Sequence, residues 1–179
     1  MWLRNLIPTK AKLILFKSAV LPYLTYCHLV WHYCRCSDGQ KLERLQERGL
    51  RAVYRDKHAS YQHLLERAEL PTLLNRHLRD ICILMYKVKY NLCPTYICNL
   101  FNNHNSSYSL RQSDFSIPRY NTVTYGKHSL RYLGPQLRQR FPPDLTSAKA
   151  LNIFKSRICR NNISSVIDDG CKSCSFCTS

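Results

Sequence analysis

Leu74, Leu78, Ile81, Met85 and Val88 recur at i, i+4, i+7, i+11 and i+14, the spacing that gathers side chains on one face of an α-helix. A face that long and that apolar has to be buried, so the stretch predicts both a central helix and partners to cover it. Helical partners are what the rest of the chain offers. Pro8 precedes a segment with Leu13, Phe16 and Val20 on one face and Lys10, Lys12 and Lys17 elsewhere; Pro22 suits the first turn of a second segment running to Trp31. After a polar break at Cys36-Ser37-Asp38-Gly39, Leu42, Leu45, Gly49 and Val53 define another apolar face. Ser60 is placed to cap a helix from Tyr61 to Glu69 that Pro71 ends. Asn91 suits the C-terminus of the central helix, and Pro94 opens a short one through Phe101.

The texture changes beyond residue 101. Asn102 to Ser109 is a polar loop, and Phe115, Ile117, Tyr120, Val123 and Tyr125 with Thr122 and Thr124 suggest extended backbone, limited by Pro118 to an edge strand. Gly134-Pro135 and Pro142-Pro143 break the following segments. Ser147 is placed to cap a last helix with Ala150, Leu151, Phe154 and Ile158 inward. The expected fold is therefore mainly α, a helical bundle with a small extended or β segment near 115–127 and a cysteine-containing tail. Residues 1–101 form its first part, 102–160 the loop, extended segment and terminal helices of the same domain, and 161–179 a flexible tail.

Charge constrains the partner. Across 179 residues, 27 Lys and Arg stand against 11 Asp and Glu, a formal surplus of +16. A polyanion relieves such a surplus, nucleic acid first and an anionic membrane second. Leu13 to Trp31 is long enough to raise the question of a membrane span, but Lys17 and Pro22 interrupt it, and the expectation is no transmembrane helix and no signal peptide. Of ten cysteines, Cys27, Cys82 and Cys98 lie in apolar stretches where a reduced thiol acts as a small core side chain. A reducing, intracellular setting, nuclear or cytoplasmic, follows from that reading.

The residues offer little catalytic chemistry. No nucleophile elbow, phosphate-binding glycine loop, dinucleotide fingerprint or H-E-x-x-H pattern is present. Glu43, Glu47 and Glu66 each precede an arginine and read as solvated ion pairs. Asp168-Asp169 lacks the further carboxylates that two-metal chemistry needs. Cys171, Cys174 and Cys177 stand at finger-like intervals and supply three of the four ligands of a structural zinc; no other cofactor is implied. The denser set Cys27, His28, His32, Cys34 and Cys36 reads as core histidines among apolar neighbours rather than as a metal site.

Basic side chains carry the strongest functional signal. Arg44, Arg48, Arg51 and Arg55 put one guanidinium on each helical turn, suited to following phosphates. Arg131, Arg138 and Arg140 make a second cluster; Lys149, Lys155 and Arg157 make a third. Twelve tyrosines, several beside basic residues, suit base stacking.

An ordered series of segments resembles a known family. It comprises Lys12 to Cys27, Val30-Trp31, Lys41 to Val53, Leu70-Pro71-Thr72-Leu73, Ile83 to Lys87 and Cys93-Pro94-Thr95-Tyr96-Ile97, then Tyr125 to Ser129, Gly134-Pro135 and Leu151-x-x-Phe154-Lys155. In this order they are similar to the region downstream of the palm in LINE-type non-LTR retrotransposon reverse transcriptases. That resemblance spans about residues 5 to 160 and implies a helical, thumb-like part that grips the template–product duplex. It also implies that fingers and palm would precede Met1, so the chain by itself is expected to lack RNA-directed DNA polymerase activity and to retain sequence-independent binding to the RNA or DNA backbone. Val166-Ile167-Asp168-Asp169 stands in the wrong order for the family's catalytic aspartates, and the tail departs from its Cys/His knuckle. Two other readings stay open on the residues alone: a secreted or membrane-surface basic, cysteine-rich protein, and a degraded reading frame without function.

Overall fold

The computed structural model describes residues 7–31, 36–101, 115–122, 126, 129–141, 143–148 and 150–160. Among them the chain is mainly helical. In order come α1 (Thr9–Leu15), which continues through a π-helical turn (Phe16–Val20), then α2 (Leu21–Thr25), α3 (His28–Trp31), α4 (Cys36–Tyr54), α5 (Tyr61–Ala68), α6 (Leu73–Lys89), α7 (Thr95–Cys98), α8 (Leu130–Gln139), α9 (Pro143–Thr146) and α10 (Leu151–Arg160). The described residues contain no strand. Of the extended segment expected near 115–127, Phe115 makes a single bridge and 116–120 are non-helical; the Gly126 amide then closes a turn on the Thr122 carbonyl at 3.0 Å.

The apolar stripe becomes the spine. The Thr72 hydroxyl caps α6 by accepting from the Asn75 amide at 3.2 Å. At its other end Asn91 takes the left-handed conformation (φ 52°), and the Leu92 amide reaches back to the Lys87 carbonyl at 2.8 Å. Leu78, Ile81, Cys82, Met85 and Val88 are buried against Phe101, Phe115, Leu137, Leu145, Phe154 and Ile158. Each of the larger side chains gains roughly 2–3 kcal/mol from leaving water. Tyr86 stacks on Phe154 at 4.5 Å, and its hydroxyl donates to the Ala148 carbonyl at 3.1 Å. A second, smaller cluster gathers Phe16, Leu50, Val53, Leu64, Leu65 and Ala68 between α1, α4 and α5; Leu21, Leu24 and Leu73 form a third.

Several expectations fail for local reasons. The π turn, closed by the Leu21 amide on the Phe16 carbonyl, holds more residues per turn than an α-helix, so Leu21 is buried and Val20 is 45% exposed. The segment begun by Pro22 stops at Tyr26 and resumes at His28, because Cys27 is left-handed (φ 50°); Cys27 is exposed there rather than in the core. Cys36 to Gly39 is no break but the first turns of α4, where Asp38 suits the positive end of the helix dipole. Helix α5 ends before Pro71 through left-handed Glu69 (φ 53°), with the Leu70 amide on the Leu65 carbonyl. Gly134-Pro135 lies inside α8 and breaks nothing: both residues are buried, and a Cβ on Gly134 would stand 2.6 Å from the Met85 sulfur. The missing side chain is what lets α8 approach α6. Ser147 caps no helix; its hydroxyl donates to the Asp144 carbonyl at 3.1 Å, and Ala150 is exposed.

Candidate nucleic-acid interface

Helix α4 bears the first of the expected basic clusters. Its inward face is Leu42, Gln46, Leu50 and Val53, one residue out of register from the expected Leu45, which is 48% exposed. Gln46 is fully buried because its Nε2 donates to the Pro71 carbonyl at 3.1 Å, tying α4 to the α5–α6 connection. The acidic residues of α4 are all engaged. Asp38 pairs with Lys41 at 2.9 Å and Glu47 with Arg51 at 2.8 Å. Glu43 is not a solvated ion pair, as expected above; it turns inward, accepting from the Leu74 amide at 3.0 Å and from the Tyr61 hydroxyl. Burial and the adjacent Glu43 carboxylate push the Tyr61 pKa up, so its hydroxyl stays a proton donor.

Arg44 and Arg48 are left exposed, one turn apart, with no acidic partner among the described residues. Arg51 is half-buried on Glu47. Arg55 is exposed one residue past the helix end, in the left-handed conformation (φ 57°). The stripe expected over four turns is thus strongest at Arg44 and Arg48.

The other two clusters come apart. In the second, Arg131 is exposed and Arg140 half-buried, but Arg138 is 3% exposed, its guanidinium 5.3 Å from the centre of the Phe141 ring, and cannot meet a phosphate. In the third, Lys155 is exposed, whereas Arg157 donates to the Asp144 carbonyl and to the Ser147 hydroxyl, fastening α9 to α10. Lys149 and the tail cysteines Cys171, Cys174 and Cys177 lie outside the described residues, as do His32 and Cys34. Helices α4, α8 and α10 each pack on α6, so the three clusters stand on separate elements of one body.

A polar cluster sits between α3 and α6: His28 is buried, as expected of a core histidine, while no sequence pattern marked His77 and Asp80 as its partners. The rings of His28 and His77 stack at 4.5 Å and 14°, with Trp31 edge-on to His77 at 5.2 Å. His28 Nδ1 meets the Thr25 carbonyl at 2.7 Å and Nε2 the Asp80 carboxylate at 3.2 Å. Both partners are acceptors, so the doubly protonated ring fits best. Burial alone would lower the His28 pKa; the Asp80 and Thr25 contacts outweigh it and the net shift is upward. For His77, burial first and the neighbouring His28 second push the pKa down to about 4. With both His28 nitrogens engaged, none is left to activate a nucleophile such as the adjacent Cys27. Parallel stacking likewise keeps the two imidazoles from converging on one ion, and no group of three metal-ligating side chains is assembled among the described residues. The cluster is a clasp that holds α3 on the spine.

Compared with known protein families, curated proteins and solved structures, the chain finds no match. No helix of the described residues is long and apolar enough to cross a membrane.

Proposed function

We propose that this chain grips the phosphate backbone of RNA or DNA without reading its sequence, using α4 as the contact helix, as the thumb-like part implied by its resemblance to LINE-type reverse transcriptases. The observation that carries the reading is the electrostatic asymmetry of α4. Each of its carboxylates is paired or turned inward, while Arg44 and Arg48 face solvent on a chain of formal charge +16. Exposed guanidiniums on successive turns attract phosphates and release their counterions, and nothing in this geometry reads base edges. Arg55, Arg131 and Lys155 add exposed positive charge; Arg138 and Arg157 serve the fold. The reading assigns the chain no catalytic step of its own.

Fluorescence anisotropy with labelled single-stranded RNA and duplex DNA of several sequences, over a salt series, tests it. R44E/R48E should weaken binding at least 10-fold for every sequence alike and make the salt slope shallower by about two phosphate contacts. Unchanged affinity at fixed salt would sink the assignment to α4.

A further inference from the structure

Phe16 of the π turn lies against Gly49 of α4 so closely that a Cβ on Gly49 would overlap the ring. Beside this contact the two elements enclose an open trough of about 510 Å³, walled by Leu15, Ala19 and Val20 on one side and by Gly49, Ala52 and Val53 on the other. Small side chains leave it shallow and almost purely apolar. Among the described residues, half of the exposed large apolar side chains fall between Ile7 and Val30, around and beyond this trough. Exposed apolar side chains gathered in one stretch of chain are what an interaction site presents.

We propose that the trough docks an amphipathic helix of a protein partner, with its apolar ridge in the trough and acidic residues along its flanks. Shape argues for the helix: a groove between two helical walls accepts a row of side chains at i, i+3, i+4 and i+7. Charge argues for the acidic flanks. Lys12 lines the trough; Arg48 stands one turn before Ala52 on the same side of α4; and no Asp or Glu occurs in the chain before Asp38. The same charges disfavour a second copy, since a symmetric pairing would bring Lys12 and Arg48 of two chains together.

The inference stands on the trough rather than on nucleic-acid binding, and one set of variants separates the two. The probe is a labelled 16-residue peptide with Leu at i, i+3, i+4 and i+7 and Glu on both flanks, against a scrambled peptide of the same composition, on the full chain at fixed salt. The patterned peptide should bind at least 10-fold tighter than the scrambled one. A52W, which fills the trough from an exposed helix position, should abolish that difference while keeping the wild-type circular dichroism and RNA affinity. A19W supplies an independent second fill. Equal binding of the two peptides would show attraction by charge alone and overturn the proposal. So would patterned binding that survives both tryptophans, or dimerisation or adsorption to phosphatidylserine vesicles that A52W removes while neither peptide binds.

Discussion

Two regions of this molecule bury apolar side chains to different degrees. Around α6 the spine is covered by α7, α8 and α10, so Ile81, Cys82, Met85, Phe154 and Ile158 have no exposed surface at all. The limb made of α1, the π turn, α2, α3 and α4 closes on one side only. Phe16 and Leu50 are buried there, yet Ile14, Leu15, Val20, Tyr23, Tyr26 and Val30 remain exposed. The basic helix α4, the proposed contact element, belongs to this half-covered limb. The difference is one of degree: the spine's inner face is spent on its own chain, with Leu92, Tyr96 and Ile153 exposed at its edge, while more of the limb's apolar surface is left uncovered.

The most direct way to break that comparison removes the same side chain from each region. F154A takes out a ring stacked on Tyr86 and packed beside Phe141, in a site with no route to solvent, and should lose ~4 kcal/mol. F16A takes out a 4%-exposed ring at the wall of an open trough, where water and neighbours can move in, and should lose ~2 kcal/mol. Urea midpoints of the two variants against wild type give the answer. Equal losses would mean that the limb is packed as tightly as the spine.

The spine was legible in the sequence because an uninterrupted 3.6-residue period is a local property, and so were the caps at Ser60 and the turn at Asn91. What escaped depends on contacts between distant segments. Gly134-Pro135 reads as a breaker until Met85, 49 residues earlier in sequence, is there to need the space. Gln46 reads as a surface residue until the Pro71 carbonyl is there to receive it, and that bond decides which face of α4 turns inward. The arginine clusters show the limit for the candidate site: Arg131 and Arg138 occur in one short helix, and only the packing of α8 exposes the first and buries the second. On α4 the acidic residues are visible in the sequence, but their engagement by Lys41, Arg51 and the Leu74 amide is not.

The clasp joining limb to spine should make stability depend on pH with a maximum near the ordinary histidine pKa of ~6.5. As pH falls from there toward about 4, His77 is protonated in the unfolded chain but not in the folded one, so the unfolded state binds more protons and stability declines. His28 works in the opposite sense. Its raised pKa contributes stability that is fully present below 6.5 and is lost as pH rises through the folded value. Allowing for solvent screening around Asp80 and Arg76, the acid-side loss should be ~1–2 kcal/mol. Urea midpoints at pH 4.5, 6.5 and 8 measure it: H77L should flatten the acid arm alone, whereas H28Q should flatten the alkaline arm and, by removing the cation beside His77, shrink the acid arm as well. An acid arm unchanged in H77L would detach the effect from the clasp.

The smallest expected effect sharpens the comparison at the backbone. Cys27 on the limb and Asn91 at the end of the spine share one left-handed conformation, φ 50° and φ 52°. Asparagine tolerates it through its short polar side chain, so N91G should change stability by no more than ~0.3 kcal/mol. Cysteine has no such compensation, and Cys27 keeps the conformation because Leu24 and His28 on either side are anchored in the interior. C27G should therefore stabilise the fold by ~0.5–1 kcal/mol, a rise of ~1–3 °C in the melting temperature at this chain length. A neutral C27G would mean that the turn relaxes in solution, and that the limb is held to the spine more loosely than the clasp implies.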